Sequence, residues 1–260
     1  MDIQLIASMF ALGLLLGFVG AGGSGFIIAI LTTGFGFPIH AALGTALATM
    51  LFTSLSGTVS HFREGNVVVR TGLVVGLTGA AGAWAGSQVA IAIPGEQLKW
   101  FTSGSLLLSG LALWFYMFYY SRRSADPAKE AASNKAPGSK GMAYWLGAAA
   151  LGLVTGALSG AFGIGSTPFI QIGLLALLGL SIAQAAGTTM LVILPIAAAG
   201  GASYYGIGYF DAALLLKVLL GTMIGSYIGA KFTKRVPRKV LRTAMVLMPI
   251  AAAILLVIEL

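Results

Sequence analysis

The stretch Gly20-Ala21-Gly22-Gly23-Ser24-Gly25 interrupts a long apolar segment, and Gly160-Ala161-Phe162-Gly163-Ile164-Gly165 interrupts another. Four of the six positions are identical at an offset of 140 residues. Glycine adopts positive φ angles readily and weakens helices, so glycines this dense favour a break in the helix. The two stretches therefore predict two broken helices at equivalent places in the chain.

The matching register continues beyond these stretches, after a three-residue insertion. At an offset of 143, Gly44-Thr45 matches Gly187-Thr188 and Pro94 matches Pro237. Other positions of repeat 1 that keep this offset are Gly57, Ser60, Gly65, Gly82 and Gly86. A constant register over about 70 residues indicates an internal duplication.

The composition places both copies in a membrane. Of the 260 residues, 58% are hydrophobic and 8% are charged, against about 25% charged residues in soluble domains. No Asp, Glu, Lys or Arg occurs in residues 3–60 or 141–210, and such runs exceed the roughly 20 residues of one crossing helix. A soluble enzyme is excluded, and the continuous apolar runs favour helices over transmembrane strands. The apolar segments are 3–36, 41–60, 67–93, 98–120, 142–180, 183–206, 212–231 and 240–258.

The predicted fold is an all-α polytopic membrane protein with two inverted repeats of four apolar segments each. Repeat 1 covers residues 1–120 and repeat 2 covers 142–260, and the first segment of each is predicted to be a Gly-broken helical hairpin. Residues 121–141 between them are predicted to form a flexible linker. Because Lys and Arg accumulate on the cytoplasmic side, the linker and the loop 231–242 are both expected inside. If the first segment of each repeat is a hairpin, each repeat crosses the membrane an odd number of times. Repeat 2 is then inverted relative to repeat 1.

A broken helix in each half of an inverted repeat is typical of the substrate site of a secondary transporter. Each helix that starts after a break presents free N–H groups and the positive end of its dipole, which favour an anion at the bilayer midplane. The candidate substrate-binding residues are Gly20, Gly22, Gly23, Ser24, Gly25, Gly160, Gly163, Gly165, Ser166 and Thr167. Glycines spaced by four residues instead favour helix packing, namely Gly72/Gly76, Gly82/Gly86 and Gly221/Gly225/Gly229.

Polar residues elsewhere in the apolar segments are weaker candidates for the same site. Thr45 and Thr188 are expected at equivalent depth, where each either lines the site or bonds a carbonyl one turn back. Tyr204 matches His61 by register and is a further candidate.

Two histidines and an arginine complete the set of polar candidates. His61 and Arg63 either gather anions at the cytoplasmic mouth, or Arg63 pairs with Glu64. His40 follows Pro38 and is expected to be a loop residue.

The paired Gly-rich stretches, the segment His61-Phe62 and the chain length resemble the TauE/SafE family of sulfite and organosulfonate exporters. The resemblance spans nearly the whole chain. It implies export of a small sulfur-containing anion, such as sulfite or sulfoacetate, across a bacterial inner membrane.

Two alternatives remain open besides a secondary transporter. A passive anion channel could use the same helix dipoles, and an intramembrane serine protease could use Ser24 with His40 or His61 as base. Neither enzyme activity nor a cofactor, a metal site or nucleic-acid binding is expected. The expected partners are a small anion, the lipid bilayer and a second copy of the chain in a homodimer. No Asp or Glu lies in the middle of an apolar segment, so uniport driven by the membrane potential is favoured over proton coupling through His61.

Overall fold

The computed structural model describes residues 2–19, 24–123, 141–163, 166–206, 208–209, 211–233 and 238–258. Over these ranges the chain is helical and contains no strand, which confirms the all-α prediction. The helices are α1 (Asp2–Val19), α2 (Ser24–Ala29, continued by the π-helical turn Ile30–Gly34), α3 (Ile39–Arg63), α4 (Val69–Ala92), α5 (Gly95–Arg123), α6 (Met142–Phe162), α7 (Thr167–Ala176), α8 (Ile182–Gly206), α9 (Ala212–Thr233) and α10 (Arg238–Ile258).

Four helices of the described part are long and apolar enough to cross a bilayer. They are Ile39–Arg63, Val69–Ala92, Met142–Phe162 and Ala183–Gly206. Each exceeds the roughly 20 residues that span the hydrocarbon core, which agrees with a membrane protein. By contrast, the ten residues of α7 reach only about half that thickness at 1.5 Å per residue.

Helical geometry stops near both glycine-rich stretches. Helix α1 ends at Val19 and α2 begins at Ser24, whereas α6 ends at Phe162 and α7 begins at Thr167. Gly163 ends α6 in the left-handed region, with φ +64°, and its N–H donates to the carbonyl of Ser159 at 2.8 Å. A glycine adopts this backbone conformation without a steric penalty.

Two helix pairs pack with their backbones in direct contact. Between α4 and α6, a side chain at Gly156 would overlap the carbonyl of Gly79, and one at Gly160 would overlap that of Ala83. Between α1 and α9, a side chain at Gly225 would overlap the carbonyl of Phe10. The packing role predicted from four-residue spacing is confirmed for Gly72, Gly76, Gly82, Gly86, Gly221 and Gly225, whereas the side-chain position of Gly229 is outside the described part.

Helices α3 and α8 cross in antiparallel directions near the centre of the bundle. A Cβ added at Gly44, near the start of α3, would lie 2.9 Å from the Cβ of Tyr204 at the end of α8. At the other end of the crossing, a Cβ added at Gly187 would lie 3.0 Å from the Cβ of His61. The start of each helix therefore meets the end of the other.

The predicted linker lies largely outside the described residues. Helix α5 continues through Arg123, and the description resumes at Gly141. Residues 121–123, which the sequence assigns to the linker, therefore belong to α5.

Candidate functional site

The residues that flank the two breaks form a buried group, which we call the helix-break junction: Ser24, Gly25, Gly163, Ser166 and Thr167. Ser24 and Ser166 are each 1% exposed, and Thr167 is 9% exposed. Gly25 and Gly163 are buried as well. The described residues that flank the two glycine-rich stretches are therefore enclosed by protein.

Helix α2 connects the two sides of the junction. Ile28 lies one turn after Ser24, and its Cδ1 would be 3.0 Å from a Cβ added at Gly163. Phe26, just after the first break, and Phe162, just before the second, both pack against a cluster formed by Leu106, Ala252 and Ala253. The two breaks therefore share neighbours inside the protein.

Ser166 has an unusual backbone conformation at the start of α7. Its φ of 42° makes it the one non-glycine residue with a positive φ among those described. The left-handed region costs a non-glycine residue about 1–2 kcal/mol, and such strain is concentrated at functional sites. Its side chain makes no capping hydrogen bond to α7, although serine at this position commonly makes one.

Ser24 contributes a buried hydroxyl at the other side of the junction. Its Oγ has no hydrogen-bond partner within the described part of the chain. Because an unpaired buried hydroxyl is unfavourable by about 1–3 kcal/mol, such groups usually face a ligand or an ordered water. The hydroxyl of Ser24 is therefore an unused hydrogen-bond donor within the described residues.

Tyr204 is held at the second break by a hydrogen bond. Its side chain is fully buried, and its hydroxyl donates to the carbonyl of Gly160 at 3.1 Å. Gly160 lies in the last turn of α6, where carbonyls lack partners within the helix. Since a hydroxyl has one proton, Tyr204 cannot donate to a substrate while it caps α6.

Gly160 itself lies inside α6 rather than in the break. It faces the backbone of α4, as do Gly152 and Gly156, so its packing role is clear. The four-residue spacing of these three glycines is the sequence signal for this face of α6. Substrate binding by Gly160 stays a prediction.

Thr45 and Thr188 are not brought together. Their neighbours Gly44 and Gly187 contact opposite ends of the α3–α8 crossing, which separates them by about 25 Å at 1.5 Å per residue. Thr45 is fully buried and its Oγ1 has no partner in the described ranges. The Oγ1 of Thr188 accepts a hydrogen bond from the N–H of Val68 at 3.0 Å.

His61 and Arg63 lie at the end of α3, away from the helix-break junction. Arg63 lines an open cavity of about 400 Å³ with Ser56, Val59, Ser60 and Glu64. The Nδ1 of His61 is 3.8 Å from Glu64 Oε2, which is too long for a hydrogen bond. Within the described residues no ion pair joins Arg63 to Glu64, and the carboxylate accepts a hydrogen bond from Asn66 instead.

The expectation that His40 is a loop residue is wrong. His40 lies in the first turn of α3 because Pro38 occupies the N-cap position and the helix starts at the next residue. Its ring is buried, stacks on Tyr209 at 4.9 Å between centroids, and donates from Nε2 to the carbonyl of Ala90 at 3.2 Å. The hydroxyl of Ser24 contacts neither this ring nor that of His61.

Four of the predicted glycines, Gly20, Gly22, Gly23 and Gly165, lie outside the described residues. Two buried residues beside the junction were not predicted, Thr102 of α5 and Ser159 of α6. Neither belongs to a glycine-rich stretch or a matched position of the repeat, so the sequence carries no signal that separates them from other helix-packing hydroxyls.

Comparison with known proteins identifies relatives over the whole length of the chain. The family model described as "Sulfite exporter TauE/SafE" matches residues 5–256. The probable membrane transporter protein YdhB of Bacillus subtilis (strain 168) is 48% identical over 252 residues, which cover 97% of this chain and 98% of that protein. The probable membrane transporter protein ORF9 of Sinorhizobium sp is 29% identical over 262 residues, with 98% and 94% coverage. No solved structure gives a significant match.

Proposed function

The chain belongs to the TauE/SafE sulfite exporter family, and we propose that it is a secondary transporter that exports a small sulfur-containing anion. The substrate class is a sulfonate such as sulfoacetate, or sulfite. We place the anion at the helix-break junction, near the bilayer midplane. The burial of Ser24 at the start of α2 and of Ser166 just before α7 is the observation that carries this proposal.

Equivalent contacts support an inverted repeat. At the 143-residue offset, Gly44 corresponds to Gly187 and His61 corresponds to Tyr204. The contact of Gly44 with Tyr204 is therefore equivalent to that of Gly187 with His61 at the other end of the α3–α8 crossing. Gly57 against Met190 and Leu47 against Gly200 form a second equivalent pair. Equivalent helices that pack antiparallel are related by an axis in the membrane plane, as in many transporters.

The chemistry of the interior favours an anion held by neutral donors. Among the described residues that are buried, no Lys, Arg, Asp or Glu occurs. Hydroxyls and the free N–H groups at the start of α7 can hold an oxyanion without burying a positive side chain. The first segment of each half would then be a Gly-broken hairpin whose short second helix, α2 or α7, begins in the membrane interior.

Sidedness and energy follow from charge. Lys and Arg are concentrated in residues 122–140 and 231–242, so we assign the linker 121–141 and the loop 231–242 to the cytoplasm of a bacterial inner-membrane protein. An anion that leaves a cell with a negative interior gains about 2.3 kcal/mol per charge for each 100 mV. Export can therefore run as uniport without a buried carboxylate.

The test is flux in proteoliposomes that contain the purified protein. Labelled sulfite, sulfoacetate and sulfate are compared under an imposed membrane potential. We expect saturable flux of sulfite or sulfoacetate that is accelerated by the same unlabelled anion on the opposite side. Comparison of sulfite with sulfoacetate separates an inorganic substrate from an organic one that carries the same SO₃ group.

Two results would overturn parts of this proposal. Flux of none of the three anions by folded protein would remove the substrate class. Flux that does not saturate and shows no acceleration from the opposite side would indicate an anion channel instead. A homodimer is a further expectation, and the mass of the protein in detergent checks it.

A further inference from the structure

Two buried hydroxyls near the helix-break junction lack a partner in the same way as Ser24. Thr102 of α5 and Ser159 of α6 are both 0% exposed, and neither hydroxyl has a hydrogen-bond partner among the residues described. Several other buried hydroxyls behave differently: Thr222 donates to Val218 at 2.6 Å and Ser109 donates to Leu106 at 2.9 Å, each within its own helix. An unpaired buried hydroxyl is unfavourable, so three near one junction call for a ligand.

Helix α5 passes close to both breaks, and Thr102 lies in the turn whose other residues contact them. Leu106, one turn after Thr102 on the same helix face, is the residue that a side chain at Gly25 would overlap. On the other side, the ring of Phe101 lies 6.4 Å from that of Phe162, the last residue of α6. The next residue, Ser103, donates to the carbonyl of Ala253 of α10 at 2.9 Å, whereas the hydroxyl of Thr102 has no hydrogen-bond partner in the described part of the chain.

Ser159 lies on the last turn of α6, where the second break begins. Its carbonyl accepts the N–H of Gly163 at 2.8 Å, which closes that turn. Phe162 lies three residues later, and positions three apart are neighbours on a helix surface. Ser159 is therefore next to the residue that contacts α5, and its free hydroxyl belongs to the same region as that of Thr102.

We propose that Thr102 and Ser159 bind the transported anion and complete a set of three hydroxyls with Ser24. This inference rests on the proposed function. Each hydroxyl supplies one proton, and the three come from three different helices, α5, α6 and α2. Three hydroxyl donors match in number the three oxygen atoms of an SO₃ group, whether in sulfite or in a sulfonate. The site uses neutral donors, in keeping with the absence of buried Lys or Arg from the described residues.

The test compares Thr102→Val and Ser159→Ala with two matched controls. The controls are Thr222→Val and Ser109→Ala, which remove hydroxyls that are bonded within their own helices. Uptake of sulfite into proteoliposomes gives KM, and thermal unfolding in detergent gives Tm. We expect KM to rise about tenfold or more in Thr102→Val and Ser159→Ala, because each loses a hydrogen bond to a charged group.

Tm separates a binding role from a structural one. Since Thr102→Val and Ser159→Ala each remove an unpaired buried hydroxyl, their Tm without anion should equal or exceed that of the wild type. Both controls should keep the wild-type KM. A wild-type KM in Thr102→Val and Ser159→Ala would overturn the inference, and a lowered Tm with unchanged KM would assign the hydroxyls to the fold.

A panel of anions keeps the inference distinct from the proposed function. Sulfite, sulfate, phosphate and chloride are each tested for an increase of wild-type Tm, because a bound ligand stabilises the folded state. If sulfite has no effect but another anion does, the substrate class is wrong. The KM and Tm of the variants are then measured with that other anion. If no anion raises the wild-type Tm, the three-hydroxyl site is overturned as well.

Discussion

At the scale of single residues, Ser166 carries the backbone strain of the second break. Its left-handed backbone would be relaxed in glycine, yet a serine occupies the position. Strain that persists at a buried polar residue points to a use for the side chain. The hydroxyl makes no capping bond, which leaves it available for the substrate contact that we propose.

Substitutions at Ser166 separate the backbone from the hydroxyl. Ser166→Gly removes the hydroxyl and the strain, whereas Ser166→Ala removes the hydroxyl alone. We expect Ser166→Gly to unfold with a free energy about 1 kcal/mol higher than Ser166→Ala, while both raise the KM of anion uptake. Denaturation in detergent and uptake assays measure the two effects. A wild-type KM in Ser166→Ala would show that the hydroxyl does not contact the anion.

Removal of the Tyr204 hydroxyl, which bonds α6 next to the same break, is expected to lower stability. In Tyr204→Phe the carbonyl of Gly160 loses its partner while buried, so the free energy of unfolding should fall by about 1–3 kcal/mol. Tyr209→Phe is the control, because that side chain is 37% exposed and the substitution keeps the ring that stacks on His40, so stability should change by less than about 0.5 kcal/mol. Equal effects of the two substitutions on the unfolding midpoint would contradict the capping role.

At the scale of elements, the sequence locates the ends of the helices better than it locates their partners. The glycine-rich stretch 160–165 lies where α6 ends, because glycine density acts locally on the backbone and Gly163 adopts a positive φ. Pro38 is ambiguous, since proline occurs both within loops and at the start of helices. In the structure it is the N-cap of α3. The prediction for His40 failed for this reason.

Tertiary contacts explain the rest of what the sequence leaves open. The separation of Thr45 from Thr188 follows from the antiparallel crossing of α3 and α8, because equivalent residues then lie on opposite sides of the centre. The hydroxyls of Thr102 and Ser159 are distinguished only because they have no hydrogen-bond partner within the described ranges, and this depends on three-dimensional packing. No pattern along one chain reports such an absence.

The close packing of α4 on α6 predicts that an alanine substitution at Gly156 of α6 and one at Gly104 of α5 have opposite effects on stability. Gly156→Ala would place a methyl group against the carbonyl of Gly79 and should lower the free energy of unfolding by about 1–3 kcal/mol through overpacking. Gly104→Ala is the control on α5, where no atom lies within 4 Å of the added group. It should raise stability by about 0.5–1 kcal/mol, since alanine favours helices over glycine. Tm values that fall equally would argue against close α4–α6 packing.

At the scale of the whole molecule, the lack of buried carboxylates in the described part predicts how transport responds to voltage. Flux of the anion should increase when a potassium gradient with valinomycin makes the loaded side negative, because each charge gains about 2.3 kcal/mol per 100 mV. A pH gradient without a potential should leave the flux unchanged. Flux that follows the pH gradient instead would indicate proton coupling.

The most direct measurement is the position of a bound anion. Crystals or particles of the protein prepared with selenite, the pyramidal selenium analogue of sulfite, would locate the anion by anomalous scattering or by density. We predict one selenium site within hydrogen-bond distance of Ser24 and Ser166, at the helix-break junction. No site there in protein that transports selenite, or a site confined to the open cavity beside Arg63, would contradict anion binding between the two helix breaks.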